Sequence, residues 1–313
     1  MALLGRYRRR SPRLRPELDD DALRQVCRHL STPASRGQPS VAIALMEELL
    51  DRTGQDWDRR AHRIGVLAEA AGRAAPKTWL RQRPRDHNAL TLHAWSDLAH
   101  AHQDGSFDDS GATVNNCLQA ADLAPSDPTP WVVLLSVFRL QQRPPHELAS
   151  VWREIKARDP WNREAHLQAL RYLSPFECGS KVKVLEFLDG LRSAPSYGTP
   201  VTGVELAAHV DHFHHTQVQG GIEALSIQQH WARVDVQHAL DHASEHWHRP
   251  GVLTHAAALA DLNLLTYALV RARRFDEATR TMNALDGTAT AWPWGWDQDA
   301  LEMFTSWHNR LTR

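Results

Sequence analysis

Prolines recur in this chain at an interval that matches the length of one helical hairpin. Pro125, Pro160 and Pro195 stand 35 residues apart in the segments LAPSDPTPW, RDPWNREAH and SAPSYGTPV. An earlier copy, QRPRDHNAL, carries Pro84, and the wider gap of 41 residues to Pro125 contains the polar stretch QDGSFDDSG. Proline ends a helix because it lacks a backbone N–H and clashes with the preceding turn. Neighbouring Asp and Asn can cap the next helix, so the pattern predicts a repeated helix–turn–helix unit of about 35 residues.

The rest of the chain has helical rather than strand-like patterning. Apolar residues recur three and four positions apart, as in the stripe formed by Val41, Leu45 and Leu49. We find no alternating segment bounded by hairpin turns. A single helical hairpin cannot bury its own apolar face, so neighbouring hairpins stack into one continuous core. The predicted fold is therefore all-α: an α-α superhelix of tandem helix–turn–helix repeats that forms a curved solenoid.

The repeated segments resemble tetratricopeptide (TPR) repeats, whose inter-repeat turn looks like L-D-P-N-N-x-x-A-W. Residues 259–286 look like a further copy, because the turn R-R-F-D-E-A puts Phe275 and Ala278 at the family's aromatic and alanine positions. Leu135 replaces the small residue that the family carries on its first helix. The resemblance covers 84–201 and 259–286, and it implies a right-handed superhelix that binds other proteins. The layout also resembles an uncharacterised actinobacterial family, which implies no function.

Distinct regions follow from this pattern. Residues 1–16 form a basic arm with six arginines and no periodicity, which is predicted to be disordered. Residues 17–313 are predicted to form one continuous helical-repeat domain, which starts in an acidic run because acidic residues favour a helix N-terminus. Its repeats lose register in the histidine-rich section 203–250. The tryptophan-rich segment 287–313, which contains AWPWGWDQD, is predicted to cap the last repeat.

The resemblance implies a binding groove, because the first helix of each tetratricopeptide hairpin lines the concave surface. Arginine forms bidentate hydrogen bonds with carboxylates, and aromatic faces provide contact area at low entropic cost. Such a groove predicts a protein or peptide partner with acidic residues. The alternative is that the aromatic residues pack between repeats and that the arginines are solvated. The residues predicted to line the groove are Trp95, Arg139, Arg171, His209, Tyr267 and Arg271.

Histidines concentrate in residues 209–248, which contain nine of the nineteen in the chain. On one helix, His238, His242 and Glu245 would fall on a single stripe. Two imidazoles one turn apart and a carboxylate beyond them can converge on a zinc or iron ion. The main prediction is that the protein has no cofactor. The alternative, which this spacing supports, is a site for a divalent metal such as zinc or iron. The competing interpretation is a packed or surface cluster of histidines that binds no metal.

Motifs of common catalytic sites are missing from the sequence. It contains no phosphate loop of the form G-x-x-x-x-G-K-[ST], no G-x-G-x-x-G and no G-x-S-x-G nucleophile elbow. Cys27, Cys117 and Cys178 are widely spaced, which predicts reduced thiols rather than disulfides or a zinc knuckle. Cys178 stands before a predicted helix with Lys181 and Lys183 nearby, which predicts a lowered thiol pKa. A cysteine that only packs is the alternative.

The net charge and the hydropathy of the sequence argue against nucleic acid and membrane as partners. The net charge of -1 lacks the basic excess that nucleic-acid-binding proteins usually carry. No apolar run approaches the roughly 20 residues that cross a bilayer, and the N-terminus lacks the order of a signal peptide. These features predict a cytoplasmic protein whose partners are neither nucleic acid nor membrane.

The sequence is compatible with three hypotheses about function. The first is a scaffold or regulator that binds a protein or peptide in its concave groove, as the repeats suggest. The second is an α-solenoid enzyme, with or without a metal, that acts on a small molecule in a biosynthetic pathway, since a fold never decides a function. A third is a sensor of small molecules or peptides, although the sequence has no helix-turn-helix to read DNA.

Overall fold

The computed structural model describes residues 11–32, 39–104, 110–193 and 199–312. In these ranges the chain is built almost entirely of α-helices, which confirms the all-α fold class. No helix in them is long and apolar enough to cross a membrane. The helices form two compact units: the first unit is Asp19–Val201, and the second unit is Thr202–Arg313 together with Met1–Leu18. The boundary between the two units lies next to the histidine-rich section.

The helices of the first unit follow one another through short connections, as helical hairpins require. Their bounds are α1 Asp21–Ser31, α2 Pro39–Asp51, α3 Trp57–Ala70, α4 Ala74–Gln82, α5 His87–Asp104, α6 Ser110–Leu123, α7 Thr129–Leu140, α8 Pro145–Arg158, α9 Arg163–Leu173 and α10 Lys181–Arg192. The odd-numbered helices from α1 to α9 contact one another in succession, and α2 contacts α4. Neighbours in sequence also pack, as α5 does with α6 and α7 with α8. Helices of this unit therefore contact the next helix along the chain and the helix after that.

The recurring prolines lie between helices wherever the structure describes them. Pro84 separates α4 from α5, Pro125 separates α6 from α7, and Pro160 separates α8 from α9. Pro195 lies outside the described residues. The 35-residue interval in the sequence therefore corresponds to the length of one helix pair with its connections.

Side chains next to these prolines cap the helices that follow. The Asn162 side chain accepts a hydrogen bond from the Ala165 N–H at 3.0 Å, at the start of α9. The Asp86 carboxylate accepts one from the Ala89 N–H at 3.2 Å, at the start of α5. These bonds satisfy N–H groups that the first turn of a helix leaves without a partner. The capping predicted from Asp and Asn beside proline is confirmed at both positions.

Buried apolar side chains among the described residues of the first unit form two cores. One joins α1 to α5 and contains Met46 and Trp79, both fully buried. The other joins α5 to α9 and contains Leu135 and Ile155. Because α5 contributes to both cores, it connects the two ends of the unit.

The second unit is assembled around one buried helix. Its elements are β1 Arg13–Leu14, α11 Val204–Gln219, α12 Gly221–Ser226, a 3₁₀ helix at Ile227–Ala232, α13 Val234–His246, α14 Ala258–Arg271, α15 Phe275–Ala284, β2 Thr288–Ala289, α16 Ala291–Trp294 and α17 Ala300–Leu311. Helix α14 contacts α11, α13, α15 and α16, and it is buried on most sides. The turn that contains R-R-F-D-E-A joins α14 to α15, which forms the hairpin predicted there.

The N-terminal arm, predicted to be disordered over 1–16, contains a short strand in the part that the structure describes. β1 pairs in parallel with β2, and the Arg13 N–H donates a hydrogen bond to the Gly287 carbonyl at 2.9 Å. The arm continues to Leu18, whose side chain is only 2% exposed. Residues 1–10 lie outside the described part. Two residues are too few to show strand alternation, so the sequence could not reveal this pairing.

The tryptophan-rich segment folds onto the helices of the second unit. Helix α16 is a single turn with non-helical backbone at Trp292, in agreement with the irregularity predicted from Pro293. Trp294 is 1% exposed and packs edge-on against Tyr267 and Phe304, with ring centroids 5.3 and 5.4 Å away. The segment therefore buries an aromatic ring between α14 and α17.

Candidate functional site

Three of the six residues predicted to line a groove lie on two packed helices of the second unit. His209 is on α11, whereas Tyr267 and Arg271 are on α14, which contacts α11. Tyr267 and Arg271 are four residues apart and therefore share one face of α14. Side chains from α11 and from the loop before α17 complete the group. We call Phe213, His214, Tyr267, Arg271 and Trp296 the Arg271 site.

A hydrogen bond between a histidine and a tyrosine lies at the centre of the Arg271 site. His214 Nε2 is 2.7 Å from the Tyr267 hydroxyl, and both residues are buried. The His214 ring also stacks on Trp296, with ring centroids 4.7 Å apart and planes inclined by 10°. The imidazole is therefore held by a hydrogen bond to α14 and by stacking against the C-terminal loop.

Burial keeps both members of this pair neutral. The pKa of His214 is lowered to about 3, mainly by burial and also by the charges of Arg271 and His215. Burial raises the pKa of Tyr267 to about 12, although Arg271 opposes that shift. A general acid or base works best when its pKa is near the working pH. Since neither group titrates near neutrality, the pair suits binding better than proton transfer.

The Arg271 guanidinium lies against two aromatic rings. Its central carbon is 4.9 Å from the Tyr267 ring centroid and 5.6 Å from that of Phe213. Within the described part of the chain, no carboxylate forms an ion pair with Arg271. In the same part, the buried Nε of Arg271 and the buried Nε1 of Trp296 have no hydrogen-bond partner. The site therefore holds a positive charge that could attract an anionic group, beside two buried N–H groups without hydrogen-bond partners in the described part of the chain.

Three imidazoles meet between α11 and the 3₁₀ helix. The rings of His209 and His212 on α11 lie 5.5 and 5.2 Å from the ring of His230. We call these three side chains the imidazole cluster. Among the residues that the structure describes, no group of three His, Cys, Asp or Glu side chains is arranged to hold a metal ion. The cluster is a packing arrangement in which ring faces and edges are in contact.

The other three predicted groove residues lie in the first unit. Trp95 is half-buried and packs against both apolar cores, which agrees with the packing alternative. Arg139 on α7 pairs with Glu177, and the Arg139 side chain is 11% exposed. Burial lowers the pKa of Arg139; Glu177 opposes this shift and the charge of Arg171 on α9 adds to it. The two arginines therefore lie close enough to interact, next to a carboxylate of the chain itself.

The residues predicted to bind a divalent metal lie on the solvent face of α13. His238, His242 and Glu245 are all exposed. The His242 ring stacks on His246, with centroids 4.6 Å apart. All three residues lie on α13, which spans Val234–His246, as the single stripe required. The three residues do not form a metal site in this structure.

Cys178 lies in the turn before α10, as predicted, but its surroundings do not activate the thiol. Burial raises the pKa of the thiol, and Glu177 raises it further against the opposing charge of Lys183. A reactive cysteine needs a lowered pKa, because the thiolate is the nucleophile. The lowered pKa predicted from the helix start and the lysines is therefore wrong, and the packing alternative fits.

Sequence patterns did not identify the partners of Arg271 and His209. The tract that contains His214 and His230 stands out by composition, yet nothing in it points to particular contacts. Tyr267 follows His214 by 53 positions, and no helical period connects residues so far apart. The sequence did indicate one local relation. Tyr267 and Arg271 are spaced so that they share one helical face, and the site forms on that face.

Comparisons with known proteins gave no match: no protein-family model, no curated protein and no solved structure matches this chain. What the site can bind is inferred from its own contacts.

Proposed function

We propose that this protein binds a protein or peptide partner that presents a carboxylate, and that Arg271 receives it. This proposal depends mainly on the surroundings of the Arg271 guanidinium. It is held against two aromatic rings, and no carboxylate within the described part of the chain forms an ion pair with it. Guanidinium groups are the side chains best matched to carboxylates, because their donors form a planar fork. An acidic side chain or a C-terminal carboxylate of a peptide would supply the missing charge.

Arg139 offers a contrast within the same chain. It was predicted to serve the same purpose, but it is paired with Glu177. An incoming carboxylate would have to displace that ion pair, and the displaced Glu177 would then repel the ligand. Among the described residues Arg271 has no ion pair that a ligand must displace, so we assign peptide binding to the second unit.

The neutral His214–Tyr267 pair favours binding over catalysis at this site. Its hydrogen bond holds the Tyr267 ring, whose centroid is 4.9 Å from the central carbon of the Arg271 guanidinium. A cation that is already ordered loses little entropy when a ligand binds. Trp296 adds an aromatic surface and a buried N–H at the same place.

We further propose that the helices form a tetratricopeptide-like superhelix. Support comes from the successive contacts of the odd-numbered helices in the first unit and from the α14–α15 hairpin in the second. Prolines between helix pairs, at the repeat interval, agree with it. A cytoplasmic location fits three cysteines that are all free thiols. In such a superhelix the Arg271 site would occupy the first helix of a hairpin, where the family binds its ligands.

Selection from a randomised peptide library displayed on phage tests the binding proposal. We expect the wild-type protein to enrich peptides with acidic residues or a free C-terminal carboxylate. A synthetic peptide of the enriched sequence should bind R271Q about ten- to a hundredfold more weakly, since a hydrogen bond to a charged group contributes roughly 1.5–3 kcal/mol. Fluorescence anisotropy measures both affinities. R139Q is the matched control, because it removes an arginine that already has a carboxylate partner.

The control decides which arginine binds the ligand. Equal binding by wild-type protein and R271Q would contradict the proposal, as would an enriched set without carboxylates. Loss of binding in R139Q but not in R271Q would move the site to the first unit. Circular dichroism of both variants shows whether the helices remain folded.

A further inference from the structure

The imidazole cluster fastens a short helical segment to α11. His209 and His212 stand one turn apart on α11, and His230 projects against both from the 3₁₀ helix. His230 is 6% exposed and His209 is 9% exposed. Next to His230, Trp231 packs on Phe213 of α11, with ring centroids 5.2 Å apart. The 3₁₀ helix is therefore attached to α11 through these aromatic and imidazole rings.

His230 is buried without the hydrogen bonds that a charged imidazole needs. Neither of its ring nitrogens has a hydrogen-bond partner in the part of the chain that the structure describes. The pKa of His230 is lowered to about 3, first by burial and then by His209 and His212. At the junction with α13, Arg233 lowers the pKa further and Asp235 opposes it. Helix α12, which also contacts the 3₁₀ helix, carries the exposed Glu223.

We propose that the imidazole cluster is an acid-sensitive latch, which releases the 3₁₀ helix from α11 when the surrounding pH falls below about 6.5. A protonated His230 cannot remain where it is, because a buried cation without hydrogen bonds is strongly destabilised. It would also face two further imidazoles and Arg233. Opening the contact brings the ring into water, where it takes up a proton at its ordinary pKa.

The direction of the effect follows from the two pKa values of His230. The closed form has a pKa of about 3, whereas the open form has the ordinary value of about 6.5. Above pH 6.5 both forms are neutral and the latch keeps its full stability. As the pH falls from 6.5 toward 3, only the open form gains a proton. The opening equilibrium then rises up to tenfold per pH unit, or about 30-fold between pH 7.5 and pH 5.0 for one imidazole.

Hydrogen exchange of the full-length protein, followed by mass spectrometry, tests the latch. After correction for the intrinsic pH dependence of exchange, we expect amides in residues 227–236 to open about 30-fold more at pH 5.0 than at pH 7.5. H230F should abolish most of this increase, because phenylalanine fills the space and cannot titrate. H238Q is the matched control: it removes an exposed histidine of the same tract and should leave the increase unchanged.

Three outcomes would overturn the latch. The first is equal protection of residues 227–236 at the two pH values. The second is an equal rise of exchange in α14, which would indicate acid unfolding of the whole second unit. The third is an undiminished rise in H230F. If H230F loses protection throughout the unit already at pH 7.5, then H230Q replaces it, because glutamine is polar and does not titrate in this range; a rise as steep as in the wild-type protein then counts against the latch. None of these measurements requires a ligand, so the latch and peptide binding at Arg271 fail independently.

Discussion

Three arginines in this protein differ in whether a carboxylate of the chain is paired with the guanidinium, and this difference determines which of them can bind an anionic ligand. Arg60 is buried and donates to Asp127 at 2.7 Å and to Asn88 at 2.6 Å, so its charge is fully engaged in the core. Arg139 has a partly exposed carboxylate partner. Arg271 has aromatic rings instead of a carboxylate among the described residues. Only the last retains a charge that a ligand can neutralise.

The Arg60–Asp127 pair predicts a large effect of a single substitution. Asp127→Ala should lower the free energy of unfolding of the first unit by about 3–5 kcal/mol, because it leaves a buried guanidinium without its counter-charge. The loss includes a further hydrogen bond, since Asp127 also accepts one from the Thr129 N–H at 2.8 Å, at the start of α7. Equilibrium urea unfolding measures the change.

An exposed ion pair is the control for that substitution. Glu48 and Arg52 are 2.6 Å apart, with side chains 55% and 76% exposed. Removing this pair with Glu48→Ala should cost no more than about 1 kcal/mol, because water and salt screen it. Similar losses in both variants would show that burial of the Arg60–Asp127 pair is not what stabilises the unit.

At the scale of elements, the arm before α1 belongs to the opposite end of the chain. The Arg15 N–H donates to the Ala289 carbonyl at 2.9 Å, next to the pairing of β1 with β2. Leu18 is buried as part of the second unit, although α1 of the first unit begins three residues later. The arm therefore adds a strand and a buried leucine to the unit that Thr202–Arg313 forms.

This arrangement predicts which unit a change in the arm destabilises. Leu18→Ala should lower the free energy of unfolding of the second unit by about 2–5 kcal/mol, the usual cost of truncating a buried leucine. Leu14→Ala, at a side chain that is 41% exposed, should have little effect. Hydrogen exchange in α14 reports on the second unit. Increased exchange in α3 instead of α14 would assign the arm to the first unit.

At the scale of the molecule, the helices group into two compact units. Asp19–Val201 has its own apolar cores and its own buried ion pairs. We therefore expect residues 19–201, expressed alone, to remain helical and to unfold cooperatively on heating, as circular dichroism would show. A fragment that is helical but melts without a cooperative transition would mean that the unit needs the rest of the chain.

Much of the fold was available from local sequence. The all-α class, the helix ends at Pro84, Pro125 and Pro160, and the cap at Asn162 all depend on backbone chemistry within a few residues. Proline geometry and capping act over one helical turn, so they can be read without knowing the fold. The groove prediction also selected Tyr267 and Arg271, which do lie on one face of α14.

The tertiary structure decided which side chains meet. Tyr267 pairs with His214 across 53 positions, His230 packs on α11, and the arm reaches β2. Burial then decided the chemistry: it makes His214 neutral, raises the pKa of Cys178 and leaves His238 in solvent. Sequence alone determines where helices start and stop, because those signals are local. The pairing and desolvation of charges arise from packing between distant segments, and only the folded chain specifies them.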